Sequence, residues 1–119
     1  MLLDHIAIIC SSEKSLVFYE SLGFKEIKRT DRGYDIIVWM EGNSATLEIF
    51  IDSTHPAHVT NSEAYGLRHI ALAVENLEEE CKRLKSVGYE PEPIRITPDG
   101  KKMTFVKDPD GLPIELRKI

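Results

Sequence analysis

Long apolar runs are missing from this chain, and so is any excess of basic residues. A membrane-spanning helix takes about 20 consecutive apolar residues, and no stretch approaches that length. With 15 Lys+Arg against 20 Asp+Glu, the net charge is −5. That balance gives no electrostatic footprint for nucleic acid or an anionic membrane surface. Cysteine is scarce as well: Cys10 and Cys81 are the only two, too few for a disulfide framework and consistent with a reducing compartment. The first residues lack a basic segment followed by a long apolar one, so no secretory signal is read there and a cytoplasmic location is expected. What is present is ordinary. The chain has 119 residues, 42% of them hydrophobic, enough for the core of one domain and too many for wholesale disorder.

An internal repeat is the most informative feature. Leu3-Asp4-His5-Ile6-Ala7-Ile8 returns 64 residues later as Leu67-Arg68-His69-Ile70-Ala71-Leu72. Leu22-Gly23-Phe24 answers Val87-Gly88-Tyr89, Gly33 answers Gly100, and Leu47-Glu48-Ile49 answers Ile114-Glu115-Leu116. The offset drifts from 64 to 67, as small loop insertions would produce. Each copy is about half the chain, and so short a unit buries little core alone. Two modules, 1–51 and 67–119, are therefore expected to form one domain over 1–119. The linker, 52–66, is rich in Ser, Thr, His, Pro and Asn.

Both copies read as β-α-β-β-β. Alternation predicts strands over 3–9 and 67–74. In the second copy Leu77, Cys81, Leu84 and Val87 form an apolar helical stripe, with Asn76 and Glu79 as a capping box and Gly88 past the end. In the first, Ser12, Leu16, Tyr19 and Leu22 take the same places, with Ser11 as cap and Gly23 as stop. Three extended segments follow in each copy: 24–30, 34–40 and 45–51, then 89–96, 102–107 and 112–118. Gly42-Asn43 and Asp110-Gly111 are the turn dipeptides before the last strands.

The repeat singles out two residue pairs, His5 with His69 and Glu48 with Glu115. Alternation places His5 with Ala7 and Ile9, opposite Ile6 and Ile8, and His69 with Ala71 and Ala73. Glu48 shares a face with Thr46 and Phe50, and Glu115 lies opposite Ile114 and Leu116. The aliphatic faces are expected against the helices, leaving His and Glu on the concave side among small neighbours. Two neutral imidazoles and two carboxylates suit one borderline divalent cation such as zinc, nickel, cobalt, iron or manganese. A lone strand His or Glu is ordinarily a rim or solvent residue; recurrence of both types at equivalent positions points instead to shared ligation. His55 and His58 read as solvated linker residues, Cys10 and Cys81 as buried apolar positions, and Trp39 and Phe105 as core before cavity-lining residues.

These residues resemble the vicinal oxygen chelate superfamily, which includes glyoxalase I, bleomycin-resistance proteins and extradiol dioxygenases. The likeness runs through Asp4-His5-Ile6-Ala7, Phe18-Tyr19, Leu22-Gly23-Phe24, Leu47-Glu48, Leu67-Arg68-His69-Ile70-Ala71, and most specifically Asp108-Pro109-Asp110-Gly111-Leu112-Pro113-Ile114-Glu115-Leu116. It implies an α+β fold of paired βαβββ modules forming a cupped mixed sheet around a metal. The order His5, Glu48, His69, Glu115 is similar to bacterial glyoxalase I, a lactoylglutathione lyase. That resemblance implies a small-molecule substrate with two adjacent oxygens, an enediolate stabilised by the metal, and Glu115 or Glu48 as the proton carrier, Glu115 being preferred by analogy.

Two positions depart from glyoxalase I. Four residues after the first His that enzyme carries an Arg toward glutathione, and here stands Ile9. Four after the first Glu it carries Asn, and here stands Asp52. The use of glutathione is therefore in doubt. Arg68, Arg95, Lys101 and Lys102 are alternative anion contacts, surface solvation being the plainer role for each. Three readings stay open: a glyoxalase-type lyase or isomerase, another metalloenzyme of this scaffold (an epimerase or a fosfomycin-type thiol transferase), and a metal-free drug- or metabolite-binding module. A homodimer is expected, with the site formed within one chain or across two.

Overall fold

The computed structural model describes residues 1–119 and divides into two compact units, Met1–Ala57 and His58–Ile119. In the first, β1 (Ile6–Cys10) leads into α1 (Lys14–Ser21), then β2 (Lys25–Asp31), β3 (Ile36–Gly42) and β4 (Ala45–Ile51). The second repeats the order with β5 (Ile70–Val74), α2 (Leu77–Ser86), β6 (Arg95–Ile96), β7 (Lys102–Lys107) and β8 (Pro113–Lys118). Each unit holds one four-stranded mixed sheet, ordered β1-β4-β3-β2 and β5-β8-β7-β6. The first strand of each copy pairs parallel with the last, and the remaining pairs are antiparallel. The architecture is α+β, two βαβββ modules.

Alternation decides which face of each sheet is covered. Ile8, Cys10, Val38, Met40, Leu47 and Ile49 are buried on one side of the first sheet, with Leu16, Phe18 and Tyr19 of α1. In the second unit Leu77, Cys81 and Leu84 of α2 are buried, as are Val106, Ile114 and Leu116. The opposite faces are open: Ala7, Ile9, Ala71 and Ala73 are exposed. Asn76 caps α2 by accepting a hydrogen bond from the Glu79 amide at 3.1 Å. Helix α1 starts later than Ser11 suggests, with Glu13 at the cap position and no side-chain cap. It buries Ser15 and Phe18 besides the predicted Leu16 and Tyr19, whereas Val87, predicted on the α2 stripe, lies past the helix end and is exposed.

Six predicted strands shorten or shift, three of them by a residue or two and β1, β5 and β6 by more. β1 and β5 begin at Ile6 and Ile70, whose partners Leu47 and Ile114 open the parallel ladders, so both histidines sit immediately before their strands. The segment 89–96 yields only the two residues of β6, because Pro91 and Pro93 lack the N–H that a ladder requires. Glu92 still donates its N–H to the Phe105 carbonyl at 2.8 Å, which holds the segment beside β7. The hairpin after β3 turns on Asn43 and Ser44, both with positive φ, rather than on Gly42-Asn43. Gly42 serves another need: a Cβ there would lie 2.2 Å from the Gly23 carbonyl oxygen.

Neither Cys10 nor Cys81 forms a disulfide, and both are buried. Burial pushes the Cys81 thiol above its ordinary range, against the opposing influence of Lys85. The folded protein therefore keeps Cys81 protonated at a pH where the unfolded chain has begun to ionise. That contribution to stability is complete below the unfolded pKa, about 8.5, and fades as pH rises beyond it. Native protein at pH 8 is expected to label slowly with a thiol reagent and rapidly in urea; equal rates would show that Cys81 is accessible.

Candidate metal and substrate site

The two sheets bring each His to its own module's Glu. In the first unit Ala7 pairs with Glu48 across the β1/β4 ladder, and His5, two residues earlier on the same face, reaches the carboxylate. His5 Nε2 stands 3.5 Å from Glu48 Oε1. In the second, Ala71 pairs with Glu115, and His69 Nε2 lies 2.9 Å from Glu115 Oε2. The third antiparallel neighbour is matched too: Trp39 is opposite Glu48, and Phe105 opposite Glu115. Each aromatic ring meets its histidine edge-on, at 5.0 Å for His5–Trp39 and 5.2 Å for His69–Phe105, both with 78° between planes. Trp39 and Phe105 are thus half-buried walls of the His/Glu face, the cavity-lining alternative to the core placement preferred from sequence. The signal that could have found them was an aromatic at the same repeat position in both copies.

The second-unit carboxylate is placed by the Asp108–Leu116 segment. Asp108, buried, accepts backbone hydrogen bonds from Asp110 and Leu112, each at 2.9 Å, and its own N–H closes the turn onto the Leu112 carbonyl at 2.9 Å. Gly111, at φ 90°, supplies the left-handed step this turn needs. The chain then enters β8 in a fixed register at Pro113, two residues ahead of Glu115. Arg117 donates to Glu115 Oε1 at 3.3 Å and to Asp99 at 2.8 Å. The first unit solves the same loop-to-strand contact differently. Arg32, at the repeat position of Asp99, stacks on Phe50, at the position of Arg117, with 5.5 Å from guanidinium carbon to ring centre.

The histidines differ in what holds their other nitrogen. His5 Nδ1 lies 2.7 Å from Asp4 Oδ2, a carboxylate oxygen that can only accept, and Nε2 faces Glu48. At the corresponding position the second copy has Arg68, which bonds Glu63 at 2.9 Å and accepts no proton from a ring. His69 Nδ1 is buried without a hydrogen-bond partner. Asp4 was not singled out by sequence, although its adjacency to His5 was the available signal.

In each unit an imidazole nitrogen and a carboxylate oxygen face one another, a donor set whose chemistry fits a divalent ion. Each unit supplies two such donors, and no group of three or more His, Cys, Asp or Glu side chains is arranged to hold a metal. A hollow opens beside each histidine. That of the first unit, about 540 Å³, includes Asp4, His5, Glu41 and Thr46; that of the second, about 420 Å³, includes His58, Arg68, His69, Arg95 and Phe105. His55 is half-exposed, 3.3 Å from Asp52.

A family model described as the Glyoxalase/Bleomycin resistance protein/Dioxygenase superfamily matches residues 2–116. The chain belongs to this superfamily. It is 45% identical to the uncharacterized protein YwkD of Bacillus subtilis over 96% of this chain and 94% of YwkD. A glyoxalase family protein from Enterococcus faecalis superposes with a TM-score of 0.89 at 42% identity, over 98% of this chain and 96% of that one. A lactoylglutathione lyase from Agrobacterium tumefaciens shares the fold, with a TM-score of 0.71 over 98% of this chain and 92% of that one; at 17% identity the likeness is one of fold alone. Members of the superfamily include enzymes and binding proteins, and divalent metals are common among them. No helix is long and apolar enough to cross a membrane.

Proposed function

We propose that the protein is a metal-dependent lyase or isomerase of the glyoxalase I type, acting on a small substrate with two adjacent oxygens. The observation that carries this reading is the duplicated His/Glu pair, each imidazole Nε2 within 3.5 Å of a carboxylate oxygen and each ring walled by an aromatic at the same register. A binding module has no need to keep both pairs. His5, Glu48, His69 and Glu115 would hold one divalent ion, nickel, cobalt or zinc before manganese or iron, supplied by the two modules of one chain or of a homodimer. When bound, the ion supplies Lewis-acid stabilisation of negative charge on the substrate oxygens.

The rest of the chemistry belongs to the chain. Asp4 orients His5 through Nδ1, and Arg117 orients Glu115 through Oε1. Glu115 is the better shielded of the two carboxylates, its side chain 9% exposed against 17% for Glu48. We assign it the proton transfer: Oε2 takes a proton from one substrate carbon and returns it to the next, screened from exchange with water. Trp39 and Phe105 give apolar walls on which a small substrate can lie. Asp52 accepts hydrogen bonds from the Thr54 amide and hydroxyl, so its carboxylate braces the linker. That disfavours a glutathione contact there and supports a substrate other than the glutathione hemithioacetal.

A panel of vicinal-oxygen substrates, hemithioacetals of methylglyoxal with several thiols included, assayed with nickel, cobalt, zinc, manganese and iron, tests the reading. Metal-dependent turnover of at least one class is expected. Absence of stoichiometric metal, together with unchanged ligand binding in the Glu48→Gln/Glu115→Gln variant, would leave the binding-module reading in its place.

A further inference from the structure

The repeat makes the two hollows comparable position by position, and their charges are opposite. Asp4 beside His5 corresponds to Arg68 beside His69, and Glu41 on β3 corresponds to Lys107 on β7; all four line the hollow of their own unit. The second hollow gains Arg95 as well. Glu63 and Glu92 line the second hollow too, so three cations face two carboxylates there, whereas the first hollow has Asp4 and Glu41 and no Lys or Arg.

The three cations are not equivalent. Arg68 is committed to Glu63 at 2.9 Å. Arg95 makes only a loose, exposed ion pair with Glu92, at 3.7 Å and beyond hydrogen-bonding distance, which an incoming anion can displace. Arg95 is nonetheless held in place: its Nε donates to the Met103 sulfur at 3.3 Å, and its guanidinium lies over the Phe105 ring at 5.4 Å. Phe105 also touches His69, so the guanidinium and the imidazole flank one ring inside one hollow. Of the other basic residues flagged by sequence, Lys102 is drawn onto Glu78 of α2, and Lys101 is exposed outside the hollow.

We propose that the hollow of the second unit binds an oxyanion, a carboxylate or phosphoryl group of the substrate, through the two terminal nitrogens of Arg95, with Lys107 as the flanking charge. A planar guanidinium presents paired donors that match either group, and the Phe105 seat means little side-chain freedom is lost on binding. This rests on the reading of His69 as part of the reaction site and adds to it a substrate class: a small anion whose charged end lies beside His69.

The test uses metal-free full-length protein, titrated with inorganic phosphate and separately with acetate while backbone amide shifts are followed by NMR. Saturable shifts confined to the hollow around 58–69, 92–95 and 105–107 are expected for at least one anion, and the stronger of the two identifies the group. Arg95→Gln should weaken that binding about tenfold or more, as loss of a charge-assisted hydrogen bond does. Arg95→Lys should retain part of it, and Lys101→Gln, outside the hollow, should bind as wild type does. Shifts spread over the surface, no saturation with either anion, or wild-type affinity in a folded Arg95→Gln protein would overturn the proposal. A parallel nickel titration separates the two ideas: metal binding without anion binding removes only the oxyanion site, and anion binding without metal removes only the metalloenzyme reading.

Discussion

Glu115→Gln is expected to cut turnover by about 10²–10⁴-fold, the range spanned by loss of a positioned general acid–base group. It should also weaken nickel or cobalt binding by at least about a hundredfold, the upper end of what even an outer partner costs. Glutamine keeps the shape of the side chain and an oxygen for Arg117, so the fold should survive; what disappears is the charge facing His69 Nε2 at 2.9 Å. Glu48→Gln provides the comparison. If Glu48 is a ligand alone, its loss of turnover should be repaired by excess metal, whereas that of Glu115→Gln should persist at saturation. Full repair of Glu115→Gln, with a persistent defect in Glu48→Gln, would transfer the proton to the first module. Turnover and metal affinity both unchanged in Glu115→Gln would remove this residue from the site.

Phe18→Ala is expected to destabilise the protein by about 3–5 kcal/mol, measured by urea unfolding. Phe18 has no exposed surface and packs edge-on against Tyr19 with ring centres 5.1 Å apart. Truncating it removes a large apolar area and leaves a cavity between α1 and its sheet. A module of about 60 residues has little stability to lose, so the shape of the transition is as informative as its midpoint. One cooperative transition that moves as a whole would show that the two modules fold together. Two transitions, of which only one moves, would show that each unit stands alone. A loss below about 1 kcal/mol would mean that the pocket under Phe18 collapses and refills.

Much of this was legible because strand alternation is local. Period-two patterning put His5 with Ala7 and Glu48 with Thr46, and the repeat doubled the signal at each position. The ladder then did what the alternation implied, pairing Ala7 with Glu48 and Ala71 with Glu115. Less legible were residues whose role depends on a partner far along the chain. Arg95 read as a solvated surface charge until the β6/β7 pairing set it opposite Met103 and over Phe105. For Trp39 and Phe105 the sequence favours the core over a cavity wall, and aromatic character alone says nothing about which face they take. The long strand over 89–96 failed for a chemical reason, two prolines without amide donors, that periodicity does not register.

The sequence by itself therefore determined the duplicated βαβββ order, the His and Glu at equivalent places, and the turn that launches β8. All three follow from short-range rules of alternation, capping and turn conformation. Tertiary structure alone decided that Arg95 keeps only a 3.7 Å ion pair with Glu92, which histidine nitrogen lacks a partner, and which hollow carries the cations. Those properties arise from distances between side chains of different strands, and such distances exist only once the ladders have formed.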